Sequence, residues 1–296
     1  MKMKILIIGG SGVLGYNLIK FLKKDYNISY TYLKNKIDEP NEYKLDFTDK
    51  TKTVETISKI NPNIIIHCAA LTNVDECEEN KLKAYSVNVE GTKNIIEAAK
   101  KNNTKFVYVS TSAVFSGKKS EYFEGDEVDP ISIYGETKAE AEKIVEKSGL
   151  EYIILRTDQP YFWFEKWQHT NSVMRVIDTL KLGKTMYEVT NWENTPTYVP
   201  DFVKATKKLL DLNKNGIYHL VGSDFINRYD WALLTAKIFD LDQSKIQRIN
   251  SNQINVKAIR SNVKLNNQKI TFETKMKFLG VKEGLKNMKK FYLNKE

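Results

Sequence analysis

Through the first 160 residues, short apolar runs bounded by turn residues alternate with amphipathic helical patterns. The runs fall at 4–8, 28–33, 63–67, 105–110 and 151–155. They are continuous rather than alternating, as expected of parallel strands buried on both faces. The helical patterns cover 12–24, 50–60, 82–101 and 133–148. Strand–helix alternation of this kind builds βαβ units and an α/β fold, a doubly wound parallel (Rossmann) sheet. After Arg156 the pattern loosens. Helices are expected at 172–182, 201–212 and 229–239, a strand at 217–221, and a closing helix from 282 to about 292.

A length of 296 residues suggests about two structural units, enough for a large core plus a smaller lobe. Two cysteines, Cys68 and Cys77, exclude a disulfide scaffold, and three histidines argue against a metal site. No apolar stretch approaches a membrane span or a signal segment, so a soluble cytoplasmic protein without membrane contact is expected. The net charge of +9 is unevenly distributed. Residues 245–296 carry 13 Lys/Arg and 3 Asp/Glu, against 33 and 34 in the first 244. No aromatic-interleaved RNA motif or recognition helix accompanies the basic segment, which favours an anionic small molecule over nucleic acid.

Gly9, Gly12 and Gly15 form G-x-x-G-x-x-G directly after the first strand, at the mouth of a helix. Glycine permits positive φ and close backbone approach. The helix start offers free N–H groups to a pyrophosphate, so Gly9, Ser11, Gly12, Val13, Leu14 and Gly15 are the candidate cradle. The spacing resembles the loop of the short-chain dehydrogenase/reductase superfamily. The second strand ends Tyr32-Leu33-Lys34 without the acid that holds the ribose hydroxyls in many NAD-preferring members. Lys34, with Lys36, instead offers charge to a 2′-phosphate, so NADP(H) is preferred and NAD(H) remains admissible. Asp46 and Phe47 fit the adenine position of that superfamily. The small residues Ala69 and Ala70, after His67-Cys68, let backbone lie against a cofactor. His67 reads as structural and Cys68 as a small buried apolar residue.

Tyr134-Gly135-Glu136-Thr137-Lys138 supplies Y-x-x-x-K at a helix start. Residues i and i+4 share a face, so both heads can meet one ligand. A neighbouring cation, Lys138, would lower the pKa of the phenol and mobilise its proton. A hydroxyl at the end of the strand 105–110 should hold the substrate carbonyl. Thr111 follows the last inward apolar position and is chosen ahead of Ser110 and Ser112.

Beyond these motifs, Ala69-Ala70-Leu71-Thr72-Asn73-Val74-Asp75-Glu76-Cys77-Glu78 resembles the AAxTxVDxxE signature of dTDP-4-dehydrorhamnose reductases. Val87-Asn88-Val89-Glu90-Gly91-Thr92 is similar to their VNxxGxxN helix. Ser110-Thr111, Val114-Phe115 and Gly117 resemble STDYVFDG. Pro130 with Tyr134-Gly135 and Lys138 resembles P-x-x-x-YG-x-x-K. Arg156-Thr157 is similar to RTSWVYG, Thr195-Pro196-Thr197 with Asp201 to a PT…D segment, and Arg260 to Leu265 to RPxxSxL.

The resemblance implies an extended short-chain reductase of carbohydrate biosynthesis, with NADP(H) bound by residues 1–158. A later segment, about 196–222, would return to that domain. Residues 159–195 and 223–296 would form the lobe that receives a nucleotide-diphosphate sugar. It implies hydride transfer to a C4 carbonyl, with Thr111, Tyr134 and Lys138 catalytic. Pro160 is implied at the cofactor, and Asn73, Val74, Asp158, Gln159 and Arg260 at the substrate. Arg260 would hold the diphosphate, a role suited to a guanidinium fork, with a surface salt bridge as the other reading. A homodimer is one arrangement the sequence permits.

Ser112-Ala113 replaces the Asp-Tyr of the family pattern, and Asp158-Gln159-Pro160-Tyr161 replaces Ser-Trp-Val-Tyr. The substrate-facing Trp is absent, with Trp163 or Trp167 as candidates to fill its place. The aromatic run 161–167 could serve as a lid or subunit contact. A 4,6-dehydratase is disfavoured because Ser112-Ala113 lacks the Asp-Glu pair that eliminates water. A nucleotide-sugar epimerase, or a non-catalytic NADP-binding subunit like the methionine adenosyltransferase beta subunit, are the alternatives.

Overall fold

Seven parallel strands in the order 3-2-1-4-5-6-9 form the central sheet of the structure, a computed structural model describing residues 2–293. They are β1 (Lys4–Ile8), β2 (Asn27–Tyr32), β3 (Glu42–Lys44), β4 (Ile64–His67), β5 (Lys105–Thr111), β6 (Tyr152–Thr157) and β9 (Gly216–His219). The order reverses between β1 and β4, the switch point at which doubly wound sheets open a crevice beyond their strand ends. The Rossmann expectation is met. Ile5 and Ile7 join one apolar core and Leu6 and Ile8 the opposite one, so the continuous run at the N-terminus feeds both faces.

The crossover helices are α1 (Val13–Leu22), α2 (Lys50–Ile60), α3 (Val74–Glu79), α4 (Lys81–Tyr85), α5 (Gly91–Lys100) and α6 (Ile133–Glu146). The single helix expected over 82–101 is broken. A π-helical turn, Ser86–Glu90, separates α4 from α5. It turns Asn88 inward, where Oδ1 accepts from the Leu71 N–H and Nδ2 donates to the Leu71 carbonyl and to Thr137 Oγ1. An apolar periodicity spanning both pieces does not register this insertion, because the buried face is kept.

Beyond β6, α7 (Ser172–Lys181), α8 (Val199–Asp211), α9 (Arg228–Ile238), α10 (Gln268–Thr274) and α11 (Val281–Leu293) complete the helices. Two small two-stranded sheets join β7 (Met186–Val189) to β11 (Ile246–Ile249), and β8 (Glu193–Asn194) to β10 (Ile226–Asn227). These strands and β3 are two to four residues long and were not expected from the apolar pattern. β6 is tied to α6 by a buried Arg156–Glu142 pair, Nη2 to Oε2 at 2.7 Å. Among the described residues no helix is long and apolar enough to cross a membrane.

Candidate active site

The glycine loop joins β1 to α1 at the switch point. Gly9 has φ +85°, and a Cβ there would lie 2.8 Å from Ala69 Cβ. At Gly15 a Cβ would fall 2.3 Å from the Gly9 carbonyl, so both glycines are required by packing. Gly12 differs. Its nearest obstacle is the Gly9 carbonyl at 3.5 Å, an ordinary contact, and the residue is exposed. The first turn of α1 closes from the Tyr16 N–H to the Gly12 carbonyl. The N–H groups of Val13, Leu14 and Gly15 thus have no partner among the described residues, as at any helix start. Bare space at Gly12 beside three free donors fits a dinucleotide pyrophosphate.

Lys34 is exposed just beyond β2 and has no ion pair among the described residues. Lys36, also exposed, pairs with Glu42. Asp46 Oδ1 accepts from the Thr48 N–H and hydroxyl at 3.0 and 2.6 Å. Phe47 packs edge-on against His67, ring centroids 5.3 Å apart, and Ala69 and Ala70 follow β4, half-buried. His67 is enclosed, with Nε2 3.2 Å from Thr92 Oγ1, and burial pushes its pKa down to about 3. That fits a structural histidine. Cys68 is half-buried rather than enclosed, and desolvation pushes its thiol up to about 12.

β5 delivers Thr111 and α6 delivers Tyr134 and Lys138 to one place. Ser132 caps α6, accepting from the Gly135 N–H at 3.2 Å, and Glu78 Oε2 accepts from the Ile133 N–H at 3.1 Å. The glutamate that closes the VDxxE pattern therefore anchors the helix end carrying Tyr134. The Thr111 hydroxyl is near enough to the Tyr134 phenol to favour its ionised form. Lys138 is buried, donates to the Val109 carbonyl at 2.7 Å, and lies 4.0 Å above the Tyr108 ring. Burial lowers Lys138 to about 7 and raises Tyr134 to about 12, the latter against the lowering influence of the Thr111 hydroxyl. The expected depression of the phenol by Lys138 is not what the protein alone produces. The ammonium is turned to Val109 and Tyr108, and desolvation dominates the phenol.

Asn73 caps α3, accepting from the N–H groups of Asp75 and Glu76, with Val74 half-buried beside it. Arg260 donates to Asp75 Oδ2 and to the Ala258 carbonyl, both at 2.8 Å, and its guanidinium lies over the Trp192 ring. Asp75 Oδ1 also accepts from the N–H groups of Lys257 and Ala258 at 3.0 Å. Of the two readings of Arg260, the structure contains the salt bridge. Asp75 had not been singled out, although it stands in the VDxxE pattern.

Asp158 ends β6. It is buried and accepts on Oδ2 from the Thr195 N–H at 2.8 Å and from the Asn194 amide at 3.4 Å. Desolvation raises its carboxyl to about 6. Gln159 follows at φ +39°, rare for a residue before proline, and turns the chain into half-buried Pro160. The aromatic run then divides. Tyr161 and Phe162 are core, and Trp163 Nε1 donates to the Met288 carbonyl on α11 at 2.8 Å. Farther on, Trp167 meets Tyr16 of α1 edge-on and Gln168 Nε2 donates to the Ser11 carbonyl at 2.9 Å. Sequence reasoning missed Gln168 because nothing local marks a contact spanning 157 positions.

A glycine loop at the switch point and a Thr–Tyr–Lys cluster across the crevice define a dinucleotide-binding fold of the short-chain reductase type. The RmlD substrate binding domain matches residues 3–293, and the chain belongs to that family. The dTDP-4-dehydrorhamnose reductase of Aggregatibacter actinomycetemcomitans is 34% identical over 263 residues, 86% of this chain and 84% of that protein. The crystal structure of dTDP-4-dehydrorhamnose reductase from Bacillus anthracis in complex with NADP superposes with a TM-score of 0.88 at 26% identity, covering 99% of this chain and 100% of that one. The methionine adenosyltransferase 2 subunit beta of Bos taurus is 26% identical over 85% of this chain and 76% of its own length.

Proposed function

We propose that this protein is an NADPH-dependent reductase of a 4-dehydro-6-deoxy nucleotide-diphosphate sugar. The observation that carries the reading is the meeting of Thr111 at the end of β5 with Tyr134 and Lys138 in the first turns of α6, where Lys138 is buried and donates back to the Val109 carbonyl of β5. Bound NADPH would supply a hydride to the C4 carbonyl carbon. Thr111 orients the carbonyl, and the Tyr134 phenol gives its proton to the carbonyl oxygen as the alcohol forms. The tyrosinate left behind regains a proton from solvent. Burial keeps the Tyr134 phenol protonated at neutral pH, so the proton to be given is in place.

The cradle reading gives Gly9, Ser11, Gly12, Val13, Leu14 and Gly15 to the pyrophosphate. Lys34 is the candidate 2′-phosphate ligand, which favours NADP(H), with NAD(H) admissible. Asp46, Phe47, Ala69, Ala70 and Pro160 complete the cofactor wall. Residues 1–158 with about 196–222 form the cofactor domain, and 159–195 with 223–296 the substrate lobe. Asn73, Val74, Asp158, Gln159 and Arg260 face the nucleotide sugar in this reading. The relationship to the methionine adenosyltransferase subunit keeps a binding role as the second reading, and Thr111, Tyr134 and Lys138 together favour catalysis.

The test is NADPH oxidation with 4-keto-6-deoxy nucleotide sugars differing in base and stereochemistry. Tyr134→Phe should cut turnover by about 10²- to 10⁴-fold while NADPH fluorescence titration stays unchanged. An unchanged turnover would remove Tyr134 as the acid. Saturable NADPH binding without turnover on any sugar would support the binding-subunit reading.

A further inference from the structure

The chain has five arginines, and four lie beyond β6. Arg175 pairs with Glu188, and Arg260 pairs with Asp75 at 2.8 Å. Arg248 is exposed on β11, its guanidinium over the Tyr229 ring. Arg228 differs from all three. It is half-buried and has no ion pair with a carboxylate among the described residues. Its Nη1 donates to Ser172 Oγ, while Nε and Nη2 have no acceptor among the described residues. A guanidinium carries five N–H donors and does not lose its proton in a protein, so a half-buried one without a carboxylate is matched by an anionic ligand.

Two helix starts place it beyond the end of β6. Arg228 is the first residue of α9, behind the Asn227 cap, which accepts from the Asp230 N–H at 2.8 Å. Ser172 is the first residue of α7, behind Asn171, which accepts from the Met174 N–H at 3.1 Å. The Ser172 hydroxyl that receives Arg228 donates in turn to Gln159 Oε1 at 3.4 Å. Gln159 stands two residues past Thr157, the register partner of Thr111. The backbone N–H of Arg228 also donates to the Trp192 carbonyl at 3.0 Å, and the Arg260 guanidinium lies 5.7 Å from the Trp192 ring. Arg228 and Arg260 therefore both hold to one tryptophan.

Arg228 lines a recess of about 10 Å³ with Ser172, Glu188 and Trp231, room for one oxygen atom. Trp231 is 2% exposed, and its buried indole N–H has no acceptor among the described residues. The Arg228 guanidinium stands 5.9 Å from the same ring. A buried N–H without an acceptor is rare, and here it shares a recess with a guanidinium that also lacks one. Glu188 is the acid of the lining, and Arg175 holds its Oε1. Two arginines and one glutamate leave a charge of +1 beside two helix N-termini, which suits a phosphate better than a hydroxyl or an ammonium. Resting on the reductase reading above, we propose that Arg228 binds the diphosphate of the nucleotide sugar together with Arg260, one phosphate oxygen seated in the recess against the Trp231 N–H. Arg260 shares its charge with Asp75, so Arg228 supplies the uncompensated one.

Isothermal titration of the NADPH-saturated protein with dTDP, UDP, GDP and CDP finds the tightest diphosphate, which is then compared with its monophosphate and with inorganic pyrophosphate. Arg228→Gln should weaken that diphosphate about 10- to 100-fold, the span of a charge-assisted hydrogen bond, and remove most of its advantage over the monophosphate. Arg228→Lys should recover part of the loss, since it keeps the charge without the fork. Trp231→Phe keeps a ring and removes the N–H, and should weaken the diphosphate about fivefold. Arg248→Gln removes the same charge from an exposed site and should stay within about twofold, as should NADPH affinity in every variant. Thermal melts confirm folding, and if Arg228→Gln fails to fold, Arg228→Lys and Trp231→Phe decide. None of these readings needs turnover. A wild type inactive on every sugar whose diphosphate binding still depends on Arg228 would defeat the reductase reading and leave the Arg228 site standing. Unchanged affinity in Arg228→Gln, a loss matched by Arg248→Gln, an equal loss of NADPH, or pyrophosphate bound as tightly as the nucleotide would each overturn the proposal alone. A wild type that binds none of the four diphosphates would overturn both.

Discussion

Burial acts in opposite chemical directions on the two members of the tyrosine–lysine pair. It keeps the phenol protonated and makes the ammonium costly, lowering Lys138 to about 7. Unfolded, a lysine titrates near 10.4, so between about 7 and 10.4 the unfolded chain holds more protons than the folded one. Stability attributable to Lys138 therefore rises with pH through that window and is lowest below it. Replacing Lys138 with Met removes this slope along with the active-site cation. Urea unfolding of both proteins at about pH 7 and about pH 9 should show the wild type gaining roughly 1 kcal/mol per pH unit relative to the variant. A difference that does not change with pH would mean that the ammonium stays charged when buried. Neither the Val109 carbonyl nor the Tyr108 ring was legible as the partner of Lys138. The motif names which residue is a turn away, whereas the direction of a flexible four-carbon stem is set by packing.

At the scale of elements, what carried over from the sequence were those whose periodicity is long enough to be read. β1, β4, β5 and α6 coincide with their apolar patterns because each buries a continuous run or stripe. The glycine loop was legible for a related reason, since Gly9 and Gly15 answer to contacts within a few residues or to the adjacent strand. The sequence alone does not decide the run 161–167 between a lid and a subunit contact. Its partners are α11 through Met288 and α1 through Tyr16, and the next residue, Gln168, meets the glycine loop through Ser11, at separations no local pattern encodes. The last contact has a kinetic consequence. Gln168 lies against Ser11 of the loop proposed for the pyrophosphate, which in that reading sets it beside the bound cofactor. Gln168→Ala removes one hydrogen bond of about 1 kcal/mol and should speed NADPH dissociation roughly fivefold. Stopped-flow displacement reads this directly, and an unchanged rate would make the segment a wall rather than a latch.

Across the whole molecule, the basic C-terminal segment takes on a different meaning once its partners are known. Lys257 pairs with Glu79, Lys264 with Glu121 and Lys289 with Asp240, all acids from the nearly neutral first 244 residues. Part of the surplus thus serves to fasten this segment to the rest of the chain. Most such pairs are exposed and worth little singly. Asp75 is different, because it receives Arg260 together with two backbone N–H groups, binding α3 to residues 257–260 on both oxygens. Asp75→Ala should release that segment and leave Arg260 without its orienting partner. Charge-assisted bonds contribute about 1.5–3 kcal/mol each, so KM for the nucleotide sugar should rise about tenfold or more while NADPH affinity holds. Hydrogen exchange should quicken over 254–262 and remain unchanged in β1, β4 and β5. If exchange there is unaltered and KM is unmoved, Arg260 reaches its ligand without help from α3, and the salt bridge is a surface feature only.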